Sequence, residues 1–394
     1  MEELYETTLC AVLKWTRLQT GMTLQNASDH TGLSLQYISE MERGKKEPSP
    51  IACNKLLSFY GYSFAFHEED KAKGEQLLHQ VLNALMYQKS DVLEKICFPA
   101  EEEKNQLDGT FFYKLLAMET GRILLQNNYE YFPIIEKTME QFFLDAGGSL
   151  KSFYCFLKAA FLDARSSFSA LKWIAQAVAF CDEESEPLML AYQSSYLMKQ
   201  GKLISSLKAS ERAIYMAEKN SAFPLIQLMR MNQAIIYVRL HQYEDAVQSF
   251  QECLEKAELN NQTALLWKIH ENICFAYMCA ENYEKAADYA MKQEKNDPKN
   301  TTFAYIIAIC NLIEGRKERK IVRKEDTLTA KLYQKMKTLQ TKPQDTILQQ
   351  KTLRFFKDDY LCRTIIRNYL IRLCVENGRY QDAMLYLQAE KTDF

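Results

Sequence analysis

Leu35, Gln36, Ser39 and Glu40 share one face at helical spacing, just ahead of a basic knuckle made by Arg43, Lys45 and Lys46. The Gln36 amide offers a donor and an acceptor together, the pair that an adenine edge requires, and Leu35 can touch a thymine methyl. Glu40 can accept from a cytosine amino group or simply repel phosphates. The three cations suit phosphate oxygens, with Arg17 and Lys14 as possible helpers. A second set lies far downstream, where Asn232 and Asn272 hold equivalent places in two successive copies of a repeated pattern and Tyr192 holds the same place one copy earlier. An asparagine donates and accepts at once, which an extended peptide backbone needs for clamping independent of its sequence. Leu228, Ile235 and Arg239 surround the first asparagine, and Lys268 and Phe275 the second, and the apolar ones among them would select side chains. The alternative is that both asparagines satisfy neighbouring helix ends.

The first set needs a short helix held by others. Leu9, Leu13 and Leu18 recur at helical spacing, and Gly21 ends that helix. Thr23 can cap a second helix running through Ala27 to about His30, because its hydroxyl accepts from an amide left without a partner. Gly32 breaks the chain, Leu33 plugs the corner, and Ser34 caps a third helix with Ile38 and Met41 on its inner side. Two short helices joined by a glycine-containing turn make a helix-turn-helix unit. Pro48 and Ser49 then open a fourth helix, with Leu56, Leu57 and Phe59 for the core. The plainer alternative is a four-helix cap with a solvated polar face. Residues 9–65 carry six bases against four acids, a weak footprint for nucleic acid, so a dimer reading two half-sites is expected.

The run "GMTLQNASDHTGLSLQYISEMERGKKEPS" closely resembles the lambda-repressor-like, Xre-type DNA-binding domain over roughly residues 9–65. Glycines, caps, core positions and the Glu-Arg-Gly-Lys end all fall in register. The chain departs from the family in two respects: Leu24 stands where a glutamine usually begins the second helix, and Ala27 and Ser28 fill its two apolar places.

Composition bounds the remainder. With only 12 Gly and 8 Pro in 394 residues that are 47% apolar and 25% charged, long helices are expected and the chain reads as all-α. The formal charge of −2 balances 49 bases against 51 acids, so any DNA contact must be local. Eleven cysteines lie far apart without a CxxC pair, and five histidines lack ligand spacing. Buried free thiols, no metal and no cofactor are expected. An acidic start and the lack of a long apolar run suggest a chain that stays in the cytoplasm. The absence of a phosphate loop, GxSxG or HExxH argues against an enzyme.

From about residue 69 the sequence repeats itself. Tyr237 and Tyr277, Tyr243 and Tyr283, Ala246 and Ala286, and Phe250 and Ala290 all align at one common shift. The same shift taken once more toward the start puts Gly201, Ser206, Ser210 and Ala213 in the small-residue places, and the unit recurs at Tyr380 and Ala383. These segments resemble tetratricopeptide repeats of unusual length, which implies stacked helix pairs and a concave surface. The expected architecture is a helix-turn-helix domain over 1–65 and a tetratricopeptide-like right-handed superhelix over 66–394. The basic stretch 315–343 reads as a solvated helix or connector.

A small Xre-type reader followed by such an array resembles the peptide-responsive regulators of Gram-positive bacteria, the group that includes Rap, Rgg, NprR, PlcR and PrgX proteins. That resemblance implies a cytoplasmic, homodimeric transcription factor for quorum sensing. A short signalling peptide in the repeat groove would control its binding to a double-stranded DNA operator. The alternative is an adaptor whose repeats bind a folded protein such as a response regulator.

Overall fold

Thr23, Ser34 and Ser49 each start a helix by the same device. Their hydroxyls accept the backbone N–H three residues on, at 3.0, 3.2 and 3.2 Å from Asn26, Tyr37 and Ala52, which satisfies an amide with no partner inside the helix. The computed structural model describes residues 2–47, 49–65, 67–98, 106–144, 146–165, 167–259, 263–317, 321, 326–356 and 359–389. Pro48 lies outside the described residues, as do 318–320 and 322–325 of the basic stretch.

Among the described residues the chain forms twenty-one helices and one tiny sheet. It divides into two compact units, Met1–Tyr196 with Arg212–Leu225, and Leu197–Glu211 with Ile226–Phe394. In the first unit, α1 (Glu2–Gln19), α2 (Leu24–Thr31), α3 (Leu35–Glu42) and α4 (Pro50–Tyr60) form the head. Its core holds Leu9, Leu13, Ala27, Ile38, Met41, Leu56 and Leu57, while Leu18 faces solvent and Phe59 is half-buried against the His30 ring.

The expectation of helices throughout meets one exception. β1 (Ser63–Ala65) pairs in parallel with β2 (Gln106–Asp108), Ser63 opposite Gln106 and Ala65 opposite Asp108. Parallel strands need a crossover, supplied by α5 (Asp70–Met86) and α6 (Ser90–Cys97). Buried Asp70 fastens this corner by accepting the His67 and Gly109 amides at 2.8 and 2.9 Å. Next comes α7 (Phe111–Gln126), whose Tyr113 ring lies so close to Gly74 that a Cβ there would stand 2.2 Å from it. Only glycine allows that approach. The unit continues with α8 (Phe132–Phe142), α9 (Gly148–Ala164), α10 (Ala170–Phe180) and most of α11 (Glu186–Lys199). Residues of α12 (Leu203–Lys219) belong to both units.

The second unit contains most of α13 (Phe223–Arg239), and α14 (Tyr243–Leu259), α15 (Thr263–Cys279), α16 (Tyr283–Asn296), α17 (Thr302–Ile313), α18 (Leu328–Thr341), α19 (Thr346–Phe355), α20 (Tyr360–Glu376) and α21 (Tyr380–Ala389). The shift read from the sequence is visible in the backbone itself, since it carries both ends of α13 onto those of α15, Phe223 onto Thr263 and Arg239 onto Cys279. The turn that follows each first helix carries a left-handed residue at Gly201, His241 and Glu281, with φ of 74°, 59° and 58°. At each turn the next amide closes back on the helix: Lys202 to Leu197, Gln242 to Tyr237 and Asn282 to Tyr277, all at 2.9 Å. These are helix ends sealed by a left-handed cap. The small residues Ser206, Ser210, Ala246 and Ala286 are all buried, which lets second helices approach first ones. The basic stretch does not end as a solvated connector, because α18 buries Ala330, Leu332, Tyr333, Met336 and Leu339.

Candidate nucleic-acid interface and repeat face

The third helix presents the expected face. Its Ile38 and Met41 are fully buried, and Leu35 is 42% exposed on the other side beside exposed Gln36. Ser39 and Glu40 are half-buried, and Arg43, Lys45 and Lys46 are exposed. The Gln36 amide nitrogen donates to a Glu40 carboxylate oxygen at 2.9 Å. Arg43 Nε donates to the Ser39 carbonyl at 2.9 Å, and the Lys46 ammonium stands 4.8 Å above the Tyr37 ring. Both cations are thereby drawn toward the helix end rather than left trailing in solvent. Tyr37 was not among the expected site residues, although its place on the same helix ahead of the basic knuckle is plain in the sequence.

Arg17 departs from its expected role as a phosphate helper. Its Nε and Nη2 donate to the two Glu42 carboxylate oxygens at 2.6 and 2.8 Å, and its Nη1 donates to the Met22 carbonyl at 2.9 Å. The side chains of the pair are only 11% and 5% exposed. Hydrogen-bonded to both carboxylate oxygens, the guanidinium joins α1 to α3 and has no face to give a phosphate. Lys14 sits near Lys137 of α8, and burial together with that like charge holds its ammonium below the usual range.

The head does not swing free of the helices that follow it. Gln19 of α1 donates to the Tyr131 hydroxyl at 2.7 Å, and the Trp15 ring meets Phe111 edge-on at 5.0 Å. Tyr131 stands at the start of α8. Its amide and that of Phe132 donate to the Glu119 carboxylate at 3.3 and 2.9 Å, and the Arg122 guanidinium lies 4.5 Å over its ring. Glu119 is 0% exposed. Burial pushes its carboxyl up to about 7, opposed by the Tyr131 and Phe132 amides and by Arg122, with Glu130 adding a small push upward. Glu119 was not among the expected site residues, though a lone acid within the apolar stretch "FFYKLLAMETGRILL" is a signal of a buried, partnered charge.

The downstream residues are distributed unevenly. Tyr192 belongs to the first unit, half-buried with its ring 4.9 Å from Phe156. In the second unit α13 shows Leu228 exposed and Asn232 and Ile235 half-buried along one face, while Arg239 is buried at its end. On α15, Lys268 is half-buried and pairs with Glu271 at 2.7 Å. Asn272 and Phe275, however, are 4% and 1% exposed, inside the unit and not on an open groove. Helices α14, α16, α17 and α20 all pack against α15, and the Cys279 thiol donates to the Leu361 carbonyl of α20 at 3.7 Å. Thr329 of α18 adds a hydrogen bond to Glu271. The near-continuous apolar run "NICFAYMC" is the sequence sign of a helix covered all round.

No disulfide joins any of the eleven cysteines, and ten of them are buried. Burial pushes the Cys53 and Cys155 thiols up to about 12, so they behave as small apolar groups. Among the described residues no helix is long and apolar enough to cross a membrane.

A helix-turn-helix family model matches residues 13–67, and the model of Iml2/Tetratricopeptide repeat protein 39 matches residues 166–369. The Transcriptional regulator ClgR of Mycobacterium tuberculosis is 49% identical over 47 residues, which make up 12% of this chain and 38% of that protein. The chain thus spans well under half the length of the curated relatives it matches. Among solved structures, a Rap protein complexed with Competence and Sporulation Factor superposes with a TM-score of 0.57 at 12% identity, covering 83% of this chain and 98% of that one. The apo form of RapI gives 0.54 at 15%, covering 83% and 97%. At these identities the likeness is one of fold.

Proposed function

Since the chain belongs to the Iml2/Tetratricopeptide repeat protein 39 family and carries a helix-turn-helix at its head, we propose that it is a cytoplasmic transcription regulator. In this reading it binds operator DNA as a homodimer through α3, and a signalling peptide held by the repeats controls that binding. The observation that carries the reading is the anchoring of the head: Gln19 on Tyr131 and Trp15 on Phe111 join α1 to the helices behind it. Any ligand that shifts α7 or α8 moves the reading helix with them. Two copies present two such helices, and their separation must match the half-site spacing of the operator. A peptide acts only if it favours one arrangement over another, since equal affinity for both shifts nothing. The Rap neighbour's complex with Competence and Sporulation Factor supports a repeat fold able to hold a signalling factor.

The burial of Asn272 and Phe275 favours a second reading, in which the repeats bind a folded protein such as a response regulator on an outer surface. One experiment separates the two. Purified protein is titrated with genomic fragments in the presence and absence of imported-type oligopeptides, and phosphorelay proteins are offered in a parallel pull-down. Sequence-preferring DNA binding that a peptide alters supports the first reading. Peptide-insensitive capture of a phosphorelay protein supports the second. No preference among fragments under any condition ends the DNA-binding reading.

A further inference from the structure

A glutamine amide has two N–H donors and one oxygen, so alone it reads two purines. Against adenine it donates to N7 and accepts from the N6 amino group; against guanine it can turn both N–H groups toward the acceptors N7 and O6. What surrounds the amide decides which option remains.

On α3, Gln36 and Glu40 are one turn apart and face the same way. The Gln36 nitrogen lies 2.9 Å from Glu40 Oε1. A carboxylate only accepts, so the amide must point its nitrogen there, which fixes which end of Gln36 is which. One N–H is thereby consumed. What stays available for a base is a single N–H beside the carbonyl oxygen. Of the cations that follow, Arg43 donates through its Nε to the Ser39 carbonyl, and Lys46 lies over Tyr37.

We propose that Glu40 is a positioning residue that makes Gln36 a reader of adenine in preference to guanine. This inference rests on the DNA-binding reading of the head. With one N–H occupied, the donor and acceptor that remain match adenine N7 and N6. Guanine would set its O6 against the Gln36 carbonyl, acceptor facing acceptor, and leave both without a donor. Such a mismatch at a bidentate contact lowers affinity by about tenfold to a hundredfold. Glu40 thus contributes specificity without touching a base, and its charge beside the phosphates lowers affinity for every sequence alike.

The test uses the full chain and a randomised duplex library, followed by titration of the selected site with A·T or G·C at the position that Gln36→Ala relaxes. Wild type is expected to prefer adenine there. Glu40→Ala should abolish most of the adenine-over-guanine ratio, and the double variant should discriminate no less than Gln36→Ala alone. Glu40→Gln keeps an oxygen that can accept from Gln36, so it should retain the preference while binding all duplexes more tightly. An unchanged ratio in Glu40→Ala overturns the inference and leaves the DNA-binding reading standing, as does a wild-type preference for guanine. A wild type that selects no duplex overturns both.

Discussion

Arg239, at the end of α13, holds its guanidinium carbon 4.6 Å over the ring of Tyr360 at the start of α20, and it also donates to the Met198 carbonyl. It is 8% exposed. Three segments far apart in sequence meet at one side chain, so its removal should loosen the second unit. A cation over an aromatic face contributes about 0.5–2 kcal/mol, and a charged hydrogen bond about 1.5–3 kcal/mol. Arg239→Ala is therefore expected to cost about 2–4 kcal/mol by denaturant unfolding, and Tyr360→Leu about 1–2 kcal/mol, with the double variant costing less than the sum. Additive losses would show that the two side chains do not act together.

Breaking the Arg17 and Glu42 pair should destabilise the head strongly. Glu42→Ala leaves a guanidinium buried without its counter-charge, at a cost of about 3–5 kcal/mol. The paired change Arg17→Met with Glu42→Leu should recover most of that loss, because it removes both charges and fills the space. Chemical denaturation of the three proteins reads the difference.

Glu119 sets a pH dependence with a definite sign. Its folded carboxyl titrates near 7 against an ordinary value of 4.5. Below the ordinary value it is neutral in both states; as pH rises toward 7, the unfolded chain releases its proton first and stability falls, then levels above 7. The burial of the charged form costs on the order of 3 kcal/mol by about pH 8. Glu119→Gln stays neutral throughout, so the melting temperature of wild type should drop relative to the variant between about pH 5 and 8. The lost acceptor for the Tyr131 and Phe132 amides offsets part of the gain. A constant difference across that range would refute the assignment.

Lys45→Ala should weaken binding to every duplex by the same factor and lower the slope of log K against log salt by about 1, since it removes one phosphate contact. Gln36→Ala should instead lose about 1–3 kcal/mol at one base pair. Titrations at several salt concentrations separate the two behaviours.

Glu281 occupies a left-handed backbone with φ of 58° where its counterpart Gly201 is free to do so. A side chain there costs roughly 1–2 kcal/mol, partly returned by the lower entropy of a non-glycine unfolded chain. Glu281→Gly is expected to stabilise the protein by about 0.5–1 kcal/mol, visible as a higher denaturant midpoint.

Much of the head was legible because its instructions are local. Thr23, Gly32 and Ser34 act on backbone groups within a helical turn, and Ile38 and Met41 follow the helical period. The helix pairs were legible for a similar reason: one constant shift repeats both the small residues and the left-handed turns. The β1 and β2 pair was missed because strands this short, joined across two helices, leave no sustained alternation in the sequence.

The sequence by itself determined the elements and their caps, since those depend on neighbours along the chain. Only the tertiary structure decided which polar side chains remain available. Arg17 of α1 was drawn inward by the Glu42 carboxylate at the far end of α3, and Phe275 was buried on a helix against which α20, beginning only at Tyr360, also packs. Glu119 became a buried acid because the start of α8 aims two amides at it. Burial and charge pairing depend on what lies close in space, and a residue's spacing along its own helix carries no record of that.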